Sequence, residues 1–218
     1  MKRSFDLILS SIGIFLVWPL ILLGWLLASL STRSNGFFLQ KRVGKDSRIF
    51  KVIKLKTMVN SNSSDSSITA LNSSRITNTG AFLRRTKLDE LPQLLNVLLG
   101  DMSFVGPRPD VPGYADKLTG DDRKLLTVRP GITGLATLYF KKEEEILRNI
   151  SDAKTFNDTV VYPIKVKLNL HYIENWSLKL DIDLILQTVF GTTVFGQKVK
   201  PFTSGVECID FIRSDFNA

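Results

Sequence analysis

From Leu7 to Leu30 the chain runs 24 residues without a charged side chain. As one helix this run would be about 36 Å long at roughly 1.5 Å per residue, enough to cross a bilayer core of about 30 Å. A cleaved signal peptide does not fit, because its apolar region is normally about 7–15 residues. Pro19 stands near the middle. There it removes a backbone donor and crowds the preceding turn, which predicts two half-helices of roughly a dozen residues each. Both flanks are basic, with Lys2 and Arg3 before the run and Arg33, Lys41 and Arg42 after it. A spanning helix would place one basic flank outside, against the positive-inside tendency, whereas a hairpin that dips in and returns keeps both on the cytoplasmic side. Membrane helices tolerate proline, so a kinked span remains the competing reading. Sequence physics leaves the two level.

The charge distribution bears on the same question. The net charge is +8, from 29 Lys/Arg against 21 Asp/Glu. Ten of the basic and two of the acidic residues precede Val59, so the rest of the chain is neutral. An excess confined to the flanks of an apolar run matches attraction to anionic lipid. A nucleic-acid groove would need a basic surface on the folded part, which Val59–Ala218 does not supply. A single cysteine, Cys208, excludes an internal disulfide and fits a domain facing the cytosol.

Behind the apolar run the sequence reads as one domain with no internal repeat. Phe37–Arg42 and Arg48–Lys56 hold aromatic and β-branched residues on either side of Gly44-Lys45-Asp46-Ser47, which predicts a hairpin. Asn60–Ser74 is rich in Ser and Asn and predicts a surface loop. Leu83–Leu99 has helical leucine spacing in which Pro92 starts a new helix or kinks the old one. Gly100–Pro112 and Val128–Gly134 are rich in Pro and Gly and predict shaped loops. Val160–Glu174 and Leu178–Phe190 predict two amphipathic helices joined near Asn175, with Pro163 in the first turn of the earlier one.

Common catalytic constellations are missing. The one histidine, His171, excludes a multi-histidine zinc site and would have to carry any Ser-His-Asp triad alone. There is neither a Walker A lysine loop nor a GxGxxG fingerprint. Carboxylates and arginines remain: Asp89 and Glu90 lie between Arg84-Arg85 and Arg108. A carboxylate can attack phosphorus to give an acyl phosphate. A second carboxylate can hold Mg²⁺ together with substrate phosphates, while arginines offset the phosphate charge. The ordinary alternative is structural. Arg85 and Asp89 are four apart and suit a helix-surface ion pair, and Asp89-Glu90 suit a helix N-terminus ahead of Pro92. On chemistry alone that alternative is the commoner outcome.

Six motifs occur in order: Lys2-Arg3-Ser4-Phe5-Asp6, Phe38–Gly44 (FLQKRVG), Phe50–Met58 (FKVIKLKTM), Leu88–Asn96 (LDELPQLLN), Gly100–Pro109 (GDMSFVGPRP) and Arg129–Gly134 (RPGITG). Together, from Lys2 to about Asp183, they resemble the bacterial sugar transferases known as monotopic phosphoglycosyl transferases. The resemblance implies an α+β, mostly helical catalytic domain over 36–218, with membrane-associated helices, and an N-terminal re-entrant membrane hairpin over 1–35 broken at Pro19. It implies transfer of a sugar-1-phosphate from a UDP-sugar to a polyprenol phosphate such as undecaprenyl phosphate. UMP would be released through a covalent aspartyl intermediate, starting assembly of a capsule, exopolysaccharide or O-antigen. Asp89 would be the nucleophile, Glu90 with Asp89 would hold Mg²⁺, and Arg84 and Arg108 would bind phosphate. Lys54, Arg129, Thr133 and Asp181 are candidates for the substrate pocket. The expected partners are the UDP-sugar, the polyprenol phosphate, the bilayer and a second copy of the chain, with no nucleic acid. The expected location is the cytoplasmic face of the inner membrane. Three departures stand out: Trp18 where many relatives have Ser before the proline, Leu135–Phe140 where many have Gln-Val-Asn-Gly-Arg, and Asn169 where many have Asp. The last two bear on sugar specificity rather than on reaction class. A catalytically inactive membrane scaffold for a glycan-assembly complex is the alternative, and the intact Asp89-Glu90 pair argues against it.

Overall fold

The computed structural model describes residues 1–60, 75–196 and 198–215. Beyond Asn60, the Ser/Asn-rich loop expectation therefore lies outside the described residues. Among the described residues the chain is mostly helical with two small sheets, in agreement with the α+β expectation. Helix α1 (Lys2–Thr32) leads into the antiparallel hairpin β1 (Phe37–Val43) and β2 (Ile49–Leu55), whose register runs from Phe37↔Leu55 to Val43↔Ile49. Then come α2 (Asn78–Arg85), α3 (Gln93–Leu99) and strands β3 (Ser103–Val105) and β4 (Gly131–Thr133), which pair in parallel. The C-terminal part is helical: α4 (Leu135–Tyr139), α5 (Glu143–Arg148), α6 (Ala153–Phe156), α7 (Tyr162–Glu174), α8 (Leu178–Phe190) and α9 (Gly205–Asp215).

Helix α1 is one continuous element of 31 residues with Pro19 inside it, not two half-helices separated by a break. Among the described residues it is the one helix long and apolar enough to cross a membrane. Its polarity is inverted relative to a helix of a water-soluble domain, which buries an apolar stripe. The residues buried against the protein are Asp6, Ser10, Gly24, Ala28 and Thr32, whereas Ile8, Ile12, Phe15, Leu16, Leu23 and Leu30 are exposed. Small residues on the inner face let backbone and neighbour approach closely. A Cβ added at Gly24 would sit 2.5 Å from Leu55 Cδ1, and one at Gly13 would sit 3.3 Å from Leu94 Cδ1.

Both ends of α1 are fastened to the same body. At the N-terminal end, Lys2 Nζ donates to Asp181 Oδ2 (2.5 Å) and to the Tyr172 hydroxyl (3.0 Å). Arg3 donates to the Val97 and Leu98 carbonyls at 2.6 and 2.9 Å. Asp6, only 2% exposed, accepts from Ser103 Oγ (3.0 Å) and Phe104 N (3.1 Å). At the other end Ala28 packs with Leu55 and Leu83, flanked by Trp25, Phe37 and Leu88.

The two expected helices are present as α7 and α8, with Pro163 in the first turn of α7, but α7 buries Ile164, Val166, Leu168, Asn169 and Tyr172 across a wide arc and is not amphipathic as expected. The Pro/Gly-rich segments expected as loops also contain β3 and β4. Three-residue strands are too short to leave a period-2 signal.

Candidate active site

The site is built on the turn between α2 and α3. Helix α2 ends at Arg85, and Lys87 takes a left-handed conformation (φ 59°) that redirects the chain into a single 3-10 turn, Leu88–Glu90. Pro92 then caps α3. Arg85 and Asp89 consequently lie on different elements, and the helix-surface ion pair suggested by their spacing has no helix to form on. Leu88 anchors the turn by packing on the Ala28–Leu55–Leu83 cluster, so the acidic pair sits at the flank of α1.

Helix α3 is keyed to the hairpin by Asn96, which is 1% exposed. Its Oδ1 accepts from Ile53 N (3.0 Å) and its Nδ2 donates to the Lys51 carbonyl (2.8 Å), so the amide occupies the free edge of β2 as another strand would. This sets Lys54, the next residue of β2, beside Glu90: Lys54 Nζ donates to Glu90 Oε1 at 2.8 Å.

Arg108 arrives from β3. Ser103 N donates to the Pro130 carbonyl (2.8 Å), Gly106 N to the Thr133 carbonyl (3.0 Å) and Gly131 N to the Pro107 carbonyl (2.8 Å). The two Pro/Gly motifs thus lock together backbone to backbone. A Cβ at Gly131 would lie 2.2 Å from Gly106 N, and one at Gly134 would lie 2.3 Å from Gly106 O. The following Arg108 side chain remains 43% exposed while its Nη2 donates to Glu90 Oε1 at 2.8 Å.

Glu90 is therefore clamped by two cations on one oxygen. Burial alone would raise its pKa, but Arg108 and Lys54, by charge and hydrogen bond, outweigh that and hold it well below the usual carboxylate range. Asp89 goes the opposite way. Burial, reinforced by the neighbouring Glu90 charge, raises its pKa against the pull of Lys54, Lys87 and Arg84. Its Oδ1 is buried without a hydrogen-bond partner, as is Nε2 of Gln93 one helical turn on. Unsatisfied buried polar atoms are uncommon in folded proteins; two fall in this short segment, and others are at Ser29, Thr137 and Asn169. Neighbouring carboxylates whose environments push their pKa values apart are the pattern expected of groups with different tasks.

Other residues singled out in the sequence have separate positions. Arg84 is near enough to Asp89 to act on it electrostatically, and its Nη2 donates to Glu144 Oε1 of α5 at 2.6 Å. Arg129 Nε donates to the Gly100 carbonyl (2.8 Å), closing the C-terminal end of α3. Thr133 Oγ1 shares a hydrogen bond with Thr188 Oγ1 (2.6 Å). Asp181 is 1% exposed and takes Lys2, Tyr172 and Trp176 Nε1, an anchor for α1. Asp89, Glu90, Lys54, Arg108 and Arg84 are thus brought together, whereas the polar atoms of Arg129, Thr133 and Asp181 are engaged in holding elements in place. Sequence reasoning missed Asn96, Gln40, Arg42 and Asp6 as supports of the site. All four lie within the six motifs that carry the family resemblance, which was the only available signal.

Among the described residues there is no group of three or more His, Cys, Asp or Glu able to enclose a metal. The donor set does fit Mg²⁺, which binds through one or two carboxylates plus substrate phosphates and keeps several waters. Asp89 Oδ1 is free, and both cation bonds to Glu90 fall on Oε1.

The model of a family described as bacterial sugar transferase matches residues 1–195. The chain is 36% identical over 196 residues to the UDP-glucose:undecaprenyl-phosphate glucose-1-phosphate transferase of Klebsiella pneumoniae, covering 87% of this chain and 39% of that protein. It is 35% identical over 195 residues to the UDP-N-acetylgalactosamine-undecaprenyl-phosphate N-acetylgalactosaminephosphotransferase of Aeromonas hydrophila, covering 86% and 42%. It is 34% identical over 205 residues to the exopolysaccharide production protein PSS of Rhizobium leguminosarum bv. phaseoli, covering 90% and 97%. The chain spans about two-fifths of the length of the first two and nearly all of the third. By this match along almost its whole length, the chain belongs to the bacterial sugar transferase family.

Proposed function

We propose that this protein transfers a sugar-1-phosphate from a UDP-sugar to a polyprenol phosphate in two steps, starting assembly of a surface glycan. The observation that carries the reading is Asp89: a carboxylate oxygen without a partner, beside a second carboxylate clamped by Lys54 and Arg108. In the first step an Asp89 oxygen attacks the sugar-bearing phosphorus of the UDP-sugar. The bond from that phosphorus to the bridging oxygen breaks, and UMP leaves with the bridging electron pair. In the second step an oxygen of the polyprenol phosphate attacks the same phosphorus. The aspartyl bond breaks, Asp89 is regenerated and a polyprenyl diphosphosugar forms. Splitting one transfer in this way is the usual gain of covalent catalysis.

The raised pKa of Asp89 makes it a more basic nucleophile. Arg108 is exposed enough to reach a diphosphate, and Arg84 would do so by exchanging Glu144 for phosphate. Asp89 and Glu90 would hold Mg²⁺, whose bound charge offsets repulsion between the carboxylate and the diphosphate.

The membrane reading rests on α1. Its outward face is apolar along most of its length, and its two ends pack on one body. A segment whose ends are both held by one domain enters and leaves the bilayer on the same side. This supports an α1 that meets the cytoplasmic leaflet of the inner membrane from one side; the re-entrant bend expected at Pro19 is not present in the continuous helix. The related proteins are named for glucose, N-acetylgalactosamine and galactose transfer, so the sugar is an experimental question. The test is UMP release from a panel of UDP-sugars with undecaprenyl phosphate and Mg²⁺. Turnover with one or more sugars is expected; no release from any of them would remove the transferase reading.

A further inference from the structure

Arg108 sits in the sequence Pro107-Arg108-Pro109-Asp110. Neither proline carries an N–H, so the segment around Arg108 has few amides of its own with which to fix its course. Upstream, the Pro107 carbonyl is held by Gly131 N. Downstream, the anchor comes from β1. Arg42 Nη1 donates to the Pro109 carbonyl at 2.9 Å, and Val43 N donates to the Asp110 carbonyl at 2.9 Å. The Arg42 guanidinium is itself oriented by Gln40, whose Oε1 accepts from Nε (3.1 Å) and Nη2 (2.5 Å). Gln40 and Arg42 are two apart on one strand, so both side chains project from the same face. Burial and the like charge of Arg108 lower the Arg42 pKa to about 10, so it stays charged at neutral pH. The half-buried Arg42 thus turns its planar fork to a neutral amide and a backbone carbonyl, although the Asp110 and Glu90 carboxylates are near enough to act on it by charge.

We propose that Arg42, oriented by Gln40, is a positioning residue that fixes the Pro109 carbonyl and thereby presents the Arg108 guanidinium to Glu90 and to the substrate diphosphate. This rests on the reading that Arg108 faces that diphosphate. Lysine at position 42 keeps the charge but cannot serve Gln40 and Pro109 with one planar fork.

The test uses the full chain in lipid nanodiscs, comparing Arg42→Lys, Gln40→Leu, Arg108→Lys and the Arg42→Lys/Arg108→Lys double variant for UMP release. Arg42→Lys is expected to lower kcat/KM by about 10- to 100-fold, as misplacement of a catalytic group by around 1 Å does. Gln40→Leu, which leaves the arginine in place but unoriented, should give a smaller loss in the same direction. In the Arg108→Lys background, Arg42→Lys should cost less than about threefold, because little correctly placed guanidinium is left to lose. Losses that simply multiply, or an Arg42→Lys variant with wild-type kcat/KM, would overturn the proposal. Hydrogen exchange without substrate supplies a second reading that needs no activity. The Val43 amide, which donates to the Asp110 carbonyl, should exchange faster in Arg42→Lys while the other amides of the β1–β2 ladder stay protected, and unchanged exchange counts against the proposal. If the wild-type chain releases no UMP from any UDP-sugar, the functional reading fails, and exchange alone still decides whether Arg42 orders the Arg108 segment.

Discussion

At the scale of single residues the site turns on two adjacent carboxylates in opposite electrostatic situations. Glu90 spends its charge on Lys54 and Arg108, and Asp89 is left with an unpartnered oxygen. Asp89→Asn should abolish turnover and, unlike wild type, leave no sugar-phosphate mass on the peptide containing Leu88–Asn96 after incubation with UDP-sugar and Mg²⁺ in the absence of polyprenol phosphate. An Asn variant that retains near-normal turnover would end the covalent mechanism. Asp110 offers a stability test. Its carboxyl is pushed up to about 6, chiefly by burial, although Lys165, Arg42 and the Tyr162 hydroxyl oppose the shift. Between about 3.8 and about 6 the folded chain binds the proton that the unfolded chain has released, so stability falls as pH rises through that window. Asp110→Asn should remove this slope. Urea midpoints of wild type and variant should diverge from pH 4 to pH 6 and then run parallel; curves parallel throughout would mean that Asp110 titrates alike in both states.

At the scale of elements the site depends on short pieces held by backbone contacts. β3 and β4 approach so closely that glycine is required where they meet: a Cβ at Gly131 would collide with Gly106 N and with the Thr133 carbonyl at 2.4 Å. Gly131→Ala should therefore separate the two motifs and displace Arg108. The expected result is a loss of activity of at least about tenfold, with a destabilisation of about 1–3 kcal/mol from strain and broken hydrogen bonds. Denaturant midpoints and UMP release on the same preparation measure both; a variant unchanged in both would mean the strands can part at little cost. The aromatic and β-branched residues on either side of Gly44–Ser47, and the run of α8 ahead of Gly191, were legible in the sequence because they carry a local signal. The 3-10 turn carrying Asp89 was not legible. A leucine-rich stretch with one proline reads as a kinked helix, and only Lys87 in the left-handed region ends that helix before the acidic pair.

At the scale of the whole molecule, α1 has its small and polar residues toward the protein and its large apolar residues outward. Cysteines placed before Lys2 and after Arg33 should both be protected from impermeant thiol reagents in intact cells; the one native cysteine, Cys208, is buried. Labelling of the N-terminal position from outside would show that α1 spans. Pro19→Ala restores the missing donor and should shift part of the population toward a spanning, less active form. By itself the sequence determined that an apolar, proline-containing segment with basic flanks stands ahead of a charge-balanced remainder. It also placed an acidic pair among arginines and left no multi-histidine site, Walker A loop or GxGxxG fingerprint; that the pair carries chemistry is what the family resemblance adds. Both follow from composition and local pattern, which need no partner in space. Tertiary structure decided which of those charges meet. Arg84, Lys54 and Arg108 converge on the acidic pair from three separate elements, while Asp181, Arg129 and Thr133 are drawn into holding the frame. Such pairings join residues far apart in the chain. They are set by the glycine-mediated contact of β3 with β4 and by Asn96 bridging α3 to β2, contacts that no local period encodes.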